Sequence, residues 1–376
     1  MSIFGDIGIR PVINAAGSLT RFGGSVMRPE AVAAMAEAAG RFVDLADAQR
    51  RVGVRIAQML GVPAAFVCAG ASAGLLAATA ACLAGTDPAR ISALPRVTGP
   101  RREVIIHRSH RNVYDQALRA AGADLVEIGD ALRTQERELD SAIGDATAAI
   151  VHFEAFAGGA SLPLDTVIGI ARRHSVPVIV DAAAELPPHR NFRCLVDAGA
   201  DLVIFSGGKD IRGPQTTGLI VGRADLIEAV ASNCSPNASV GRSLKVGKEE
   251  LAGFLRALEL YLDEDQEARL QAWEAQVAWM IGALSDLAPI RAFRVSPADN
   301  GIRPAHVPRV HVEMLSGDVA GARSDLVRRL LDHDPGIAVG EWDRGISINP
   351  QTLQPGEEKV VVAALRRLLE DAQEGV

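Results

Sequence analysis

The sequence predicts an α/β protein in which helices cover both faces of a mostly parallel sheet and a smaller unit follows. Short apolar, β-branched runs alternate with helix-like segments through the middle of the chain, a pattern typical of buried parallel sheets. Hydrophobic residues make up 48% of the 376 residues, so a large core can form without metals or disulfides. After about Ser235 the pattern changes to longer helices, which indicates a second unit.

Seven apolar runs are the predicted strands of this sheet, and helices lie between several of them. Ligands of such sheets bind beyond the carboxyl ends of the strands, so the residues that directly follow each strand are candidates for chemistry. The predicted strands cover 65–68, 103–106, 124–128, 148–153, 176–180, 201–205 and 218–221, and the helices cover 73–84, 113–121 and 164–174.

The other segments predict an N-terminal arm and a smaller α+β unit. The first 30 residues are rich in glycine and show little periodicity, so we expect an arm. A long helical pattern leads out of the sheet, and a later segment alternates like a strand with one exposed face. These elements are the long helix 247–284, the strand 307–314, an amphipathic helix 319–331, a hairpin 337–348 and a terminal helix 355–372.

The predicted domain organisation follows from these elements. We expect an N-terminal arm and helix over 1–45 and a large ligand-binding α/β domain over 46–240. A long linking helix and a small C-terminal α+β domain are expected over 241–376.

The net charge and the cysteine content indicate which partners and which cellular compartment to expect. The 39 Lys and Arg against 46 Asp and Glu give a net charge of −7, which argues against nucleic-acid binding. The four cysteines show no CxxC spacing, so we expect reduced thiols in the cytoplasm and neither a zinc site nor a disulfide framework.

The uncharged stretch 64–85 is 22 residues long but mostly Ala, Gly, Ser and Thr, which predicts a buried strand, turn and helix rather than a membrane span. The N-terminus shows no secretory signal.

Lys209 is the residue that points most directly to a reaction. It follows a predicted strand in the segment Ser206-Gly207-Gly208-Lys209, and Asp181 ends another strand 28 residues earlier. A lysine in a partly desolvated pocket has a lowered pKa and can act as an amine nucleophile. An amine and a carboxylate at one sheet edge suit pyridoxal 5′-phosphate (PLP), in which lysine forms the Schiff base and aspartate keeps the pyridine nitrogen protonated. A surface lysine and a helix-capping aspartate are the alternatives.

The turn at 70–74, Gly-Ala-Ser-Ala-Gly, is a candidate seat for the cofactor phosphate. It lies between a strand and its helix, so free backbone amides at Ala71, Ser72 and Ala73 would face an anion at the positive helix end. The hydroxyls of Ser72 and Ser206 are further candidate donors. The spacing matches neither GxGxxG nor a nucleotide P-loop, which argues against an NAD-dependent dehydrogenase. Close packing of small residues is the alternative explanation.

These motifs resemble a known family. The segments 206–209, 213–215 and 218–220 resemble the Schiff-base segment of the selenocysteine synthase (L-seryl-tRNA selenium transferase) family, and 241–248 resembles the basic stretch that opens its long helix. The segments 14–17, 23–25 and 42–45 are more similar to the branch that includes D-glucosaminate-6-phosphate ammonia-lyase. The resemblance covers nearly the whole chain. It implies the fold-type I architecture of PLP-dependent transferases, as a homodimer or higher homo-oligomer with shared active sites.

One departure bears on the reaction. The selenium-transferring enzymes are longer and carry an N-terminal tRNA-binding domain, whereas here the core motifs start at Asn14 and the chain is acidic. Selenium transfer to a tRNA-bound serine is therefore not expected.

The resemblance also implies roles for individual residues. His110 is placed like the residue that stacks on the pyridine ring, with a surface histidine or a helix cap as alternatives. Arg242 and Lys245 are candidates to reach the cofactor or substrate phosphate of a neighbouring subunit, and a solvated helix start is the alternative. Glu154 is a candidate for the phenolic oxygen of the ring or for the substrate, and a loop carboxylate is the alternative.

Two further groups of polar residues bear on metal binding and on carboxylate binding. His107 and His110 are three residues apart with no carboxylate or cysteine partner nearby in sequence, so no metal site is expected. Arg21, Arg309 and Arg344 are candidates to hold an α-carboxylate in bidentate fashion, and the sequence does not rank them.

The expected function is a PLP-dependent lyase that acts on a hydroxylated amino acid. Lys209 would take the Cα proton as general base while Asp181 keeps the ring cationic. Loss of the β-hydroxyl as water and then of ammonia would give a 2-keto acid. The resemblance suggests a sugar-derived, phosphorylated amino acid as the small-molecule substrate.

Other outcomes of the same chemistry stay open. Protonation at another position gives a racemase or epimerase, or an aminotransferase, and a base acting on the β-hydroxyl gives a C–C lyase of the aldolase type. A non-catalytic PLP- or ligand-binding module is a further alternative.

Overall fold

The computed structural model describes residues 3–295, 303–315 and 318–374. The chain divides into a larger unit, Met27–Glu264, and a smaller unit, Met1–Val26 together with Asp265–Val376. The ends of the predicted arm and small domain, residues 1–2 and 375–376, lie outside the described residues.

The larger unit is built on a seven-stranded sheet, which confirms the predicted α/β class. The strand order is β2-β8-β7-β6-β5-β3-β4. The pairs from β7 through to β4 are parallel, and β8 runs antiparallel to both of its neighbours. The strands are β2 (Ala64–Cys68), β3 (Glu103–His107), β4 (Asp124–Ile128), β5 (Thr147–Phe153), β6 (Val178–Asp181), β7 (Leu202–Ser206) and β8 (Gly218–Gly222).

Helices cover both faces of this sheet. On one face, α4 and its neighbours pack on residues such as Ile179 and Ile204, and on the opposite face Val180 and Phe205 belong to a second core that includes α11. Burial on both faces explains why the strands are continuous apolar runs. The helices are α2 (Pro29–Ala39), α3 (Leu45–Leu60), α4 (Ala71–Ala84), α5 (Pro88–Ala93), α6 (Gln116–Ala120), α7 (Glu136–Ala142), α8 (Leu164–Arg173), α9 (Asn191–Ala198), α10 (Ala224–Ser232) and α11 (Lys248–Leu262).

The predicted helix 247–284 is two helices, so that prediction was wrong in its middle. The first is α11, and the second is α12 (Gln266–Leu284). The Asp265 carboxylate accepts a hydrogen bond from Ala268 N at 3.0 Å and so caps the start of α12. The helix breaks at this cap although the hydrophobic pattern of the sequence continues across it.

The smaller unit holds a five-stranded sheet of order β1-β11-β12-β10-β9. The predicted hairpin is present as an antiparallel pair of strands, and the predicted terminal helix is also present. The elements are α1 (Ile3–Asp6), β1 (Val12–Ala15), β9 (Ile290–Val295), β10 (Arg309–Met314), α13 (Val319–Asp332), β11 (Gly336–Trp342), β12 (Gly345–Ile348) and α14 (Glu357–Glu374).

Two expectations about the smaller unit were wrong. The first 30 residues are not simply an arm, because β1 pairs in parallel with β11 and Ile13 and Ala15 enter the core. β10 has no exposed face, because it lies between β9 and β12 and all six of its residues are buried. Polar and apolar side chains alternate along β10, so one of its two buried faces is polar and the other is apolar.

The observed units also differ from the predicted domain limits at 45 and 240. Residues up to Val26 group with the smaller unit through β1, and α11 groups with the larger unit because Phe254 and Tyr261 lie in its core. Across the three described stretches, none of the helices is both long and apolar enough to cross a bilayer.

The contact of α3 with β2 gives a stability prediction. A Cβ on Gly53 in α3 would lie 2.3 Å from the carbonyl oxygen of Ala65, so Gly53→Ala should lower the free energy of unfolding by about 1–3 kcal/mol, as overpacking does. Gly169→Ala in α8 is the matched control, because nothing lies within 4 Å of its Cβ position and alanine favours the helix by roughly 0.5–1 kcal/mol. Urea unfolding of both variants tests this, and equal effects would contradict the packing.

Candidate active site

Asp181 and Lys209 come together at the carboxyl edge of the larger sheet. Asp181 is the last residue of β6, and Lys209 follows the end of the adjacent parallel strand β7. The two side chains act on each other electrostatically. The pair expected from the sequence is therefore within interaction distance in the fold.

The environment of Asp181 is apolar and faces α4. Ile179, two residues earlier, packs in the core that contains α4, and side chains two apart on a strand share a face. Asp181 is 9% exposed, and its Oδ1 accepts a hydrogen bond from Ala183 N at 2.9 Å. Burial raises the pKa of the carboxyl, while the Ala183 hydrogen bond and the Lys209 charge oppose that rise.

A tight turn fixes the backbone that carries Lys209. Gly207 N donates to Thr217 O at 2.8 Å, and Gly213 N donates to Gly207 O at 2.9 Å. Burial lowers the pKa of the Lys209 amine, and the nearby carboxylates of Asp181 and Glu185 oppose that change. More of the amine is therefore neutral near pH 7 than for a free lysine, as a nucleophile or a general base requires.

The predicted anion seat is the start of α4. Its first residues, Ala71, Ser72 and Ala73, follow the turn at Gly70, and the first backbone N–H groups of a helix have no partner within the helix. β8 approaches this turn closely, because a Cβ on Gly218 would lie 2.9 Å from Ala71 N. Ser206 ends β7 and is partly buried. The seat is thus lined by backbone donors and small side chains.

These residues fit PLP by the chemistry of their donor set. A buried carboxylate suits a protonated ring nitrogen, a partly neutral amine suits the aldehyde carbon, and a helix N-terminus suits a phosphate. Arg242 and Lys245 are exposed in the segment before α11, so their assigned contacts stay a prediction.

Three histidines form a buried cluster at the same end of the sheet. His107, His110 and His152 have no exposed surface, and their ring centroids are 4.6–5.8 Å apart. His152 was missed by sequence reasoning. It could have been found by register, because Ile106 pairs with Val151 and so the next residues, His107 and His152, lie beside each other.

Hydrogen bonds assign the tautomers of two of these rings. His107 Nε2 accepts from Leu162 N and His110 Nδ1 accepts from Phe153 N, each at 3.2 Å. The other nitrogens, His107 Nδ1 and His110 Nε2, therefore carry the protons, and neither has a hydrogen-bond partner among the described residues. The ligand atoms that the three rings offer lie within 4.8 Å of one another, so the expectation of no metal stays a prediction. The stacking role of His110 stays a prediction.

Two acidic residues lie near these groups. Glu154 is partly buried, and its Oε1 lies 3.7 Å from His152 Nε2. Glu185, in the loop after β6, acts on the charge of Lys209 and was missed by sequence reasoning. Its position in the sequence, four residues after Asp181, could have indicated that it lies near the site.

The histidine cluster predicts loss of stability in acid. Burial lowers the pKa of His107 to about 4 and the pKa values of His110 and His152 to about 3. Between pH 6.5 and about 4 the unfolded chain binds protons that the folded chain does not, so the free energy of unfolding falls as the pH falls. Each ring contributes about 1.4 kcal/mol per pH unit in this window.

Substitution of one ring tests this prediction. His152→Phe removes one titrating ring without breaking a hydrogen bond of the cluster, so it should flatten the slope by about 1.4 kcal/mol per pH unit. Urea unfolding at pH values inside this window, below 6.5 and above about 4, measures the slope, with the exposed His189→Gln as control. An unchanged slope in His152→Phe would show that the ring is charged in the folded state.

Comparisons with known proteins find relatives over nearly the whole chain. The chain is 30% identical to D-glucosaminate-6-phosphate ammonia lyase of Salmonella typhimurium (strain 14028s / SGSC 2262), over 99% of both chains. It is 32% identical to 5′-C-glycyluridine monooxygenase-decarboxylase of Streptomyces sp, over 97% of this chain and 91% of the relative. A solved structure of D-glucosaminate-6-phosphate ammonia-lyase matches with a TM-score of 0.85 and 29% identity, over 99% of both chains.

A family model gives the assignment. The model described as SelA, L-seryl-tRNA selenium transferase, matches residues 12–277, which is more than half of the chain and includes Asp181, Lys209 and the start of α4. The chain belongs to the SelA (L-seryl-tRNA selenium transferase) family.

Proposed function

We propose that this chain is a PLP-dependent lyase that eliminates water from a hydroxylated amino acid; the resulting enamine tautomerises to an imine, and hydrolysis of the imine with one water gives ammonia and a 2-keto acid. The observation that carries the proposal is the buried pair of Asp181 and Lys209 at the carboxyl ends of adjacent parallel strands. The 30% identity to an ammonia lyase over 99% of both chains supports this reaction class.

The proposed mechanism assigns a task to each residue of the site. PLP held at this site would supply an electron sink for the bonds at the substrate Cα. Lys209 Nζ, whose pKa is lowered by burial, takes the Cα proton as general base. Asp181 would accept the hydrogen bond from the ring nitrogen and keep that nitrogen protonated. The backbone amides of Ala71–Ala73 would hold the phosphate.

We propose a sugar-derived amino acid as the substrate class. The name of the relative, D-glucosaminate-6-phosphate ammonia lyase, supports such a substrate. The exposed cations Arg242 and Lys245 are the proposed contacts for a phosphate group.

A second candidate function is oxidative decarboxylation of an amino acid. It is favoured by the 32% identity to 5′-C-glycyluridine monooxygenase-decarboxylase, whose name contains a nucleoside that carries a glycyl group. That reaction consumes O₂ and releases CO₂, whereas elimination of water followed by hydrolysis of the imine to ammonia and a keto acid does neither. Gas exchange therefore separates the two candidates.

We propose a homodimer or higher homo-oligomer in the cytoplasm. Support for self-association comes from large apolar side chains of the larger unit that are exposed in the monomer: Phe42, Val113, Tyr114, Leu132 and Phe156. Such side chains mark interaction surfaces when they are contiguous. Support for the compartment comes from the free thiols Cys68, Cys82, Cys194 and Cys234.

The reaction itself is tested by proton NMR of the PLP-loaded protein in heavy water. The substrates are a panel of D- and L-hydroxyamino acids and phosphorylated sugar amino acids. We expect loss of the Cα–H signal together with growth of a 2-keto acid. Loss of that signal with the amino acid intact would indicate a racemase or epimerase, and CO₂ release with O₂ uptake would indicate the second candidate.

Lys209→Ala should lower turnover by at least about a hundredfold, because general-base catalysis contributes roughly 10²–10⁴-fold. It should also abolish exchange of the Cα proton. The matched control is Lys359→Ala, which removes an exposed lysine in α14 and should leave turnover unchanged. Retained exchange in Lys209→Ala would assign the base to another residue.

Asp181→Asn should weaken PLP binding. The substitution keeps the shape of the side chain and removes the charge that a protonated ring nitrogen requires, so we expect about a 10–100-fold rise in Kd from loss of a charge-assisted hydrogen bond. Equilibrium dialysis measures the Kd, and the exposed Asp165→Asn in α8 is the control. Equal Kd values in wild type and Asp181→Asn would remove Asp181 from the cofactor site.

A further inference from the structure

The buried histidine cluster has more hydrogen-bonding groups than the described residues satisfy. His107, His110 and His152 have no exposed surface. In the described part of the chain, four of their ring nitrogens have no hydrogen-bond partner: His107 Nδ1, His110 Nε2 and both nitrogens of His152. A buried polar group without a partner destabilises a fold, so such groups are usually bonded to protein or to ordered water. The cluster therefore indicates a bound partner.

The tautomers determine what this partner has to offer. His107 and His110 each accept a hydrogen bond from a backbone amide, so their remaining nitrogens are N–H donors. His152 is neutral near pH 7, because burial lowers its pKa to about 3, and it therefore has one donor and one acceptor nitrogen. Its Nε2 lies 3.7 Å from Glu154 Oε1, which favours the proton on Nε2 and leaves Nδ1 as the acceptor. The partner has to accept two hydrogen bonds and donate one.

The spacing of the three rings suits a single small molecule. One nitrogen of each ring lies within 4.8 Å of the nitrogens that the other two rings offer. An atom at their centre would lie about 2.8 Å or less from each nitrogen, which is a hydrogen-bond distance. A water molecule can accept two hydrogen bonds and donate two, and a buried water typically makes about three. Water therefore matches both the size of the site and its donors and acceptor.

His110 lies close to the candidate active site. Its Nδ1 accepts a hydrogen bond from Phe153 N at 3.2 Å, and Phe153 pairs in register with Asp181 on the adjacent strand. One side of the His110 ring is therefore fixed to the strand beside the buried carboxylate. A hydrogen bond at Nε2 would fix the other side, and a precise binding site requires side chains that are held by their neighbours.

We propose that His107, His110 and His152 bind one buried water molecule, and that His152 acts through this water as a positioning residue for the ring of His110. The water accepts hydrogen bonds from His107 Nδ1–H and His110 Nε2–H and donates one to His152 Nδ1. The water site does not depend on the lyase activity, whereas the positioning of His110 at a cofactor ring rests on the proposed function.

High-resolution crystal structures of the protein as purified test the water site. In wild type we expect one water oxygen about 2.7–3.2 Å from a nitrogen of each ring. His152→Phe keeps a ring of similar shape and both backbone hydrogen bonds of the cluster but has no acceptor, so its structure should lack this water. A wild-type structure without the water, a metal ion bound to the rings at about 2.0–2.1 Å, or a water retained in His152→Phe would each overturn the proposal.

PLP binding tests the positioning role without turnover. The Kd of PLP, measured by equilibrium dialysis, should rise about 2–10-fold in His152→Phe, which corresponds to the loss of one hydrogen bond. The visible circular dichroism of bound PLP should change as well. His152→Asn should restore both readouts, because its amide oxygen lies near the position of the lost Nδ1 and can accept from the water. The matched control is His174→Phe, which changes an exposed ring directly after α8 and should leave both readouts unchanged.

The outcomes separate this role from the proposed function. Equal Kd values in wild type and His152→Phe, or equal weakening in His152→Phe and His152→Asn, would overturn the positioning role. Absence of PLP binding to wild type would overturn the proposed function and the positioning role together, whereas the crystal structures alone decide the water site.

Discussion

Burial of an amine and a carboxylate at one edge of the larger sheet is the constraint on which the proposed chemistry depends. Desolvation pushes Asp181 and Lys209 towards their neutral forms, and their mutual attraction pushes them towards their charged forms. Burial and mutual attraction therefore act in opposite directions on the pKa of each group, so a charged ligand bound beside them would change both pKa values. A cofactor with a protonated ring nitrogen and an aldehyde has both groups that would do so.

The fold supplies the rigidity that this pair needs. β6 and β7 are adjacent parallel strands with packed cores on both faces, so the two strand ends cannot move apart easily. The histidine cluster adds a second constraint nearby, because His110 holds Phe153 N at the end of β5 and His107 holds Leu162 N. Both ends of the loop 153–162 are thereby fixed beside the strand that ends at Asp181.

The sequence predicts the seven strands of the larger sheet because a strand buried on both faces is a continuous apolar run, as in Thr147–Phe153. Asp181 and Lys209 could be predicted to meet because both follow such runs. Other features depend on information that is not local. The cap at Asp265 competes with a hydrophobic pattern that favours one helix, and β1 is recognisable only from its pairing with β11. His152 gains significance only from neighbours distant in sequence.

The central claim is that Lys209 carries the cofactor, and the chain makes it directly testable because it has only four lysines: Lys209, Lys245, Lys248 and Lys359. Borohydride reduction of the PLP-loaded protein, followed by digestion and peptide mass mapping, fixes the cofactor to the amine that holds it. We predict one pyridoxyl group on the peptide that contains Lys209. A pyridoxyl group on another lysine or on the N-terminal amine, or no modified peptide, would contradict the account.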